Sequence, residues 1–218
     1  MYNLLLKKEM KLTAMLITYL FIVFGVMVMI PGYPILVGFF FGCLGIFQTF
    51  QNGNECNDIF YTALLPVKKS DVVKAKYVFV VFIELMTALL AAVCTLVRML
   101  FLSNYDAYVI NPMQNANLFM LGYMFVIYGL FNLIFLGGFF KTAYQIGKPF
   151  VITIIAVFLW IGVTEALHHF PGLEILNTTG FESIGLQIGV FVAGIVICVV
   201  MTLLSYKKSV RNFEMIDL

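Results

Sequence analysis

The chain has 218 residues, of which 62% are hydrophobic and 11% charged, whereas an ordinary soluble domain carries about 25% charge. With a mean hydropathy of +1.02, it is an integral membrane protein with room for about six spans of roughly 20 residues and no sizeable soluble domain. The net charge of +2 is too small to imply a nucleic-acid partner, and Cys43, Cys56, Cys94 and Cys198 are too scattered for a metal or redox motif.

In chain order, MYNLLLKKEMK (1–11) mixes leucines with lysines, as suits a short amphipathic helix lying in the interface. The apolar run that follows ends in PGYP without a small-residue cleavage site, so it is read as a retained span and not a signal peptide. Six spans are predicted, at about 12–30, 34–50, 77–102, 118–140, 149–168 and 184–206. Backbone facing lipid must satisfy its own hydrogen bonds, and these runs are continuous and not alternating, so the fold class is all-α.

Orientation follows from the basic residues. Lys7, Lys8 and Lys11 precede the first span, and Lys68, Lys69, Lys74 and Lys76 separate the second from the third. Lys141 and Lys148 separate the fourth from the fifth, and Lys207, Lys208 and Arg211 close the sixth. Only Arg98 of the 13 falls elsewhere, so the positive-inside rule places both termini in the cytoplasm.

The connector at about 51–76 contains QNGNECNDIFYTALLPVKKSDVVKAKY. Asn57 or Asp58 is expected to cap a short helix running to Leu65, because Pro66 disfavours helix at the residue before it. Ser70 is expected to cap the next helix, with Asp71 in its first turn. That helix runs from 71 to 102 as a rigid stalk of ~48 Å that projects from the membrane. Ile59, Phe60, Leu64 and Leu65 are bulky apolar side chains in a loop outside the bilayer, where they call for a lipid surface or a protein groove.

The run LLPVKKSDVVKAKY resembles the corresponding segment of small six-span permeases of the type-2 ATP-binding cassette (ABC) transporter family. Among these it is similar to the permeases of bacterial exporters of amphipathic peptides such as phenol-soluble modulins. The resemblance implies that Asn57 to Leu65 form a coupling helix, with Asp58, Ile59, Phe60, Leu64, Leu65, Pro66, Lys68 and Lys69 meeting an ATPase subunit. It further implies two ATPase copies that bind ATP and Mg, a second permease copy, identical or paralogous, and export of amphipathic peptides or other hydrophobic compounds across a bacterial plasma membrane. No G-x-x-x-x-G-K-[ST] occurs, so the ATPase is expected on another chain, with no cofactor or metal in this one.

Ionisable residues inside spans are candidates for function. Glu84, about 10 Å into the third span, is expected to face the bundle interior, either as an interhelical hydrogen-bond partner or on a transport path. Arg98, near the outer end of the same span, can snorkel to the interface. Glu165, His168 and His169 read as interfacial polar residues. Gly38/Gly42 and Gly185/Gly189 have the spacing that lets helices approach closely, within or between subunits. The 23 phenylalanines, including Phe39 to Phe41 and Phe139 and Phe140, fit an apolar path and a lipid-facing surface equally well. The competing functions are an ion-coupled secondary transporter, a membrane enzyme, and a non-transporting immunity or sensor subunit. The first would show broken helices in matching halves, and the second a catalytic constellation inside the spans.

Overall fold

The computed structural model describes residues 2–216; Met1 and residues 217–218, parts of the expected interfacial segment and of the tail, lie outside them. The described chain is helical, with no strand. Helix α1 (Tyr2–Lys8) runs into a π-helical turn (Glu9–Thr13). Extended backbone at Ala14 and Met15 then turns the axis by 92° into α2 (Leu16–Leu20) and a 3-10 helix (Phe21–Met29). The Tyr19 hydroxyl donates to the Met10 carbonyl at 2.5 Å and the Asn52 amide to the Thr13 carbonyl at 3.1 Å, so both sides of the bend are tied. A 3-10 helix rises about 2.0 Å per residue, so these 14 residues reach roughly 25 Å, close to the thickness of the hydrocarbon. The straight helical run here is thus shorter in sequence than the expected 12–30, and α1 with its π-helical turn lies at 92° to it.

After Pro34, α3 (Ile35–Glu55) extends beyond the apolar run that ends near residue 50. Next come α4 (Asp58–Ala63) and α5 (Lys69–Val97), which continues through a π-helical turn (Arg98–Leu102) as one helix of 34 residues. A single turn, α6 (Asp106–Val109), precedes α7 (Leu118–Phe131), whose π-helical turn (Asn132–Leu136) leads into α8 (Gly137–Phe139). Helix α9 (Gly147–Leu167) and a 3-10 turn (Glu174–Asn177) lead to α10 (Ile184–Glu214), which runs past the expected end at 206. Five of these helices are long and apolar enough to cross a membrane, and the bent pair around Ala14 makes a sixth if it is counted as one span.

Helix α7 is the most enclosed span and α10 the most exposed. Their axes approach so closely that a Cβ built on Gly194 would lie 2.3 Å from the Gly122 carbonyl oxygen. Between α3, α7 and α9, Phe47 stacks on Phe150 at 3.8 Å, and Phe135 meets Phe47, Phe50 and Phe150 edge-on. Phe39, Phe139 and Phe140 are buried in the same core, so these aromatics are packing and not a path lining.

The segments carrying the lysines converge at one end. Lys8 on α1 reaches Asp58, Lys69 reaches the Ile216 carbonyl, and Tyr144 shares a cleft with Asp58. The basic-poor connections meet at the other end, where the Gln114 and Asn117 amides donate to the Leu176 carbonyl and the Tyr108 hydroxyl donates to the Met29 carbonyl.

Candidate coupling and intramembrane sites

At the lysine-rich end, four charged side chains from three segments form one closed cluster. Lys8 Nζ lies 2.8 Å from Glu9 and 2.6 Å from Asp58, and Lys76 Nζ lies 2.9 Å from each of the same two carboxylates. Glu9 and Lys76 are almost fully buried, and Lys76 also stands 5.4 Å from the centre of the Phe50 ring. Two cations and two carboxylates offset one another, which is what makes burial of four charges tolerable. Burial by itself would push the Asp58 carboxyl up, but Lys76 and Lys8 outweigh it, and the group sits below the usual carboxylate range. Lys8 also donates to the Thr62 hydroxyl at 3.1 Å, so α1, α4 and the base of α5 are held as one body.

This geometry corrects the expected helix caps. Asn57 is left-handed, with φ 52°, and makes no capping bond; Asp58 is spent on lysines; α5 begins at Lys69, with Ser70 already inside it. An isolated cap is a local device, and here long-range ion pairs take the same side chain. The expected break at Pro66 is present, since α4 ends before it and Lys68 is extended.

The docking residues expected on the connector divide into two faces. Asp58 and Ile59 point inward, and Lys69 binds the Ile216 carbonyl, so these three serve the fold of this chain. Phe60, Leu64, Leu65, Pro66 and Lys68 are exposed, joined by Tyr61, which the sequence reading passed over. Leu64 is 69% exposed and Tyr61 62%, values that mark an apolar patch on α4 and the turn that ends it, with the other side of the helix anchored.

Within the spans, Glu84 is buried and its Oε2 accepts from the Asn132 amide at 3.0 Å. The same amide donates to the Thr202 hydroxyl at 3.0 Å, and the Ser205 hydroxyl donates to the Asn132 carbonyl at 2.5 Å. Tyr77 closes the chain of contacts through Ser205 and Ser209 at 2.7 and 2.8 Å. A polar strip therefore joins α5, the π-helical turn after α7, and α10. The π-helical turn begins at Asn132, the residue that holds Glu84. Glu84 Oε1 is buried without a partner. The interior-facing placement expected for Glu84 is present; Asn132, Thr202, Ser205 and Ser209 were not singled out, because single polar residues in apolar runs carry no periodic signal.

Arg98 does not snorkel. It is buried, donates to the Val28 carbonyl at 2.6 Å and to Asn115 Oδ1 at 3.2 Å, and lies 4.2 Å from the centre of the Tyr108 ring. Fixed donors and a ring face offset its desolvation where it stands, so the guanidinium is a clasp joining the first span, α5 and the outer loop. Beside it, Asn115 binds Asn177 through its backbone and side chain, and Gln187 accepts from Leu118 N and donates to the Gly180 and Glu182 carbonyls. Glu165 accepts from Gln114 N at 3.0 Å, and the His168 ring pairs with the Pro112 carbonyl. Their partners are loop backbone, and the described residues contain no group of three or more potential metal ligands.

The glycine ladders also divide. Gly38 lies against Phe24 and Met27 of the first span, and Gly42 is in ordinary contact with Thr87. Gly185 and Gly189 meet nothing within 4 Å, so their ladder makes no contact inside this subunit. The closest backbone approaches use Gly122 and Gly194 instead.

Long apolar helices, an anchored short helix at the lysine-rich end and a polar strip among the apolar helices define a multi-pass α-helical membrane protein. The ABC-2 family transporter protein profile matches residues 3–214, nearly the whole chain, and the chain belongs to that family. No curated protein and no solved structure matches it. It is therefore a permease subunit, a class that works with an ABC ATPase.

Proposed function

We propose that this chain is the membrane subunit of an ATP-driven exporter, assembled from two permease copies and two ATPase subunits, that moves amphipathic peptides or other hydrophobic compounds out of a bacterial cell across the plasma membrane. The lysine-rich end is cytoplasmic, and α4 is the coupling helix. The observation that carries the reading is the apolar patch of Phe60 and Tyr61 on α4, with Leu64 and Leu65 on the turn that follows it, a helix whose opposite face is clamped by Asp58 and Thr62. A patch on a loose loop would absorb a push; one tied through Lys76 to a 34-residue helix transmits it along about 51 Å. ATP-driven closure of the ATPases moves α4 and, through α5, shifts the population between two states of access to the path.

The test is ATP hydrolysis by the co-purified ATPase in liposomes, with wild type and with Leu64→Asp/Leu65→Asp. Both side chains are exposed, so the variant folds but loses ATPase binding and coupled hydrolysis by at least about tenfold, the factor that 1.4 kcal/mol of lost docking energy corresponds to. Unchanged hydrolysis and co-purification would overturn α4 as the coupling element.

A further inference from the structure

The outer faces of α5 and α10 diverge to leave a groove on the lateral surface. One part, of about 470 Å³, runs from Lys74 and Tyr77 past Val78 and Phe82; the next, of about 320 Å³, continues past Glu84 to Phe125 and Tyr128. The two share Val81, Leu85, Thr202 and Leu203, so they form one continuous trough. Leu85 and Leu203 on its rims are half exposed, which leaves it open towards lipid. Its size is that of a small-molecule site, apolar walls around few polar groups.

The floor carries a feature that lipid chains do not need. Glu84 lines the second part, and its Oε1 is buried with no hydrogen-bond partner, while Oε2 is held by a neutral amide. The Asn132 amide bridges Glu84 and Thr202 and holds the carboxyl in place. A preset carboxyl oxygen at the bottom of an apolar trough is costly unless something donates to it, and in hydrocarbon the strongest complement is a cationic donor.

We propose that this groove binds an amphipathic cation: an apolar chain laid along Val81, Leu85 and Leu203, with a primary ammonium on Glu84 Oε1, entering sideways from the membrane. The site deepens the exporter reading by giving the cargo an entry point, and rests on that reading only for the word cargo. An acyl chain that merely solvates the groove, or a second copy of the permease seated on it, is the competing occupant.

The experiment uses the full chain in nanodiscs without ATPase and measures saturable binding of radiolabelled dodecylamine, with dodecanol as the neutral probe of equal length. Wild type binds the amine at least tenfold more tightly than the alcohol. E84Q removes that preference and leaves the weak binding of dodecanol unchanged. Leu203→Trp, which fills the trough and leaves the Glu84 to Asn132 bond intact, weakens both probes and guards against a folding defect in E84Q. Equal binding of amine and alcohol to wild type means an acyl-chain groove and overturns the proposal. So does undiminished amine preference in E84Q. Binding that wild type shows only after dilution to monomers means a second copy covers the groove, and also overturns it. Because no ATPase is present, loss of binding with intact ATPase coupling sinks this site alone, and binding without any coupling sinks only the exporter reading.

Discussion

Gly194→Ala tests whether the contact between α7 and α10 is as close as it stands. The new Cβ would sit 2.3 Å from the Gly122 carbonyl oxygen and 2.8 Å from its Cα, and both are backbone atoms that no rotamer change can move. Ordinary contact begins near 3.4 Å, so the helices must separate by about 1 Å. Overpacking of this kind costs about 1–3 kcal/mol, and with backbone on both sides the upper part of that range applies. Replacing glycine in a helix interior returns about 1 kcal/mol, which leaves a net loss of roughly 1–2 kcal/mol. Gly189→Ala is the matched control on the same helix: nothing lies within 4 Å, so only the gain of up to about 1 kcal/mol remains. The assay is thermal unfolding of the detergent-solubilised chain, at about 2–4 °C per kcal/mol for a protein of this size. Gly194→Ala melts several degrees below wild type and Gly189→Ala at or above it. A Gly194→Ala variant as stable as wild type would refute the close approach. Destabilisation by Gly189→Ala that appears only in the assembled complex would place the Gly185/Gly189 ladder between subunits.

The charged cluster gives two further expectations. Lys76→Met leaves Glu9 and Asp58 partly uncompensated beside each other and destabilises by about 3–5 kcal/mol, the range for breaking a buried pair, and adding Glu9→Gln restores part of the loss in the same melts. The Asp58 carboxyl is held below its ordinary value of 3.8, so the stability it contributes is complete above that pH and drains away as pH falls through the lowered folded value. Melts of wild type and Asp58→Asn therefore converge only below about pH 3.8, and a constant difference down to pH 3 would show that the charge of Asp58 is not what matters. Arg98→Met leaves the Val28 carbonyl and Asn115 without their donor and costs about 2–3 kcal/mol. Arg98→Lys recovers little of it, because an ammonium cannot reach both acceptors and lie flat on the Tyr108 ring. Full rescue by lysine would mean that charge alone holds the outer end.

Much of the architecture could be read directly, and particular residues show why. The lengths of the apolar runs determined the helices, because in hydrocarbon each backbone group must bond within its own segment, whatever the neighbours are. Pro66 determined the break after α4 because its ring acts on the residue next to it. The basic residues, eleven lysines and Arg211 between or beyond spans, marked one end of the bundle, and that end is where the structure gathers their segments.

What the sequence did not disclose depends on how each helix is rotated and which helix it meets. Asp58 looks like an N-cap until Lys8, 50 residues before it, and Lys76, 18 after it, come within 3 Å. Arg98 looks free to snorkel until Val28, 70 residues away, offers its carbonyl. The ladder at Gly185/Gly189 has the better spacing, yet Gly194 makes the contact because α10 turns that face to Gly122. Local sequence by itself determined where this chain is helical and which end is basic, since both follow from a residue's chemistry against lipid and water. Only the tertiary structure decided which of its few charges are clamps, which face of α4 is left exposed, and which carboxyl oxygen stays unpaired beside an open groove. Those are properties of pairs of residues, set by packing across the whole bundle.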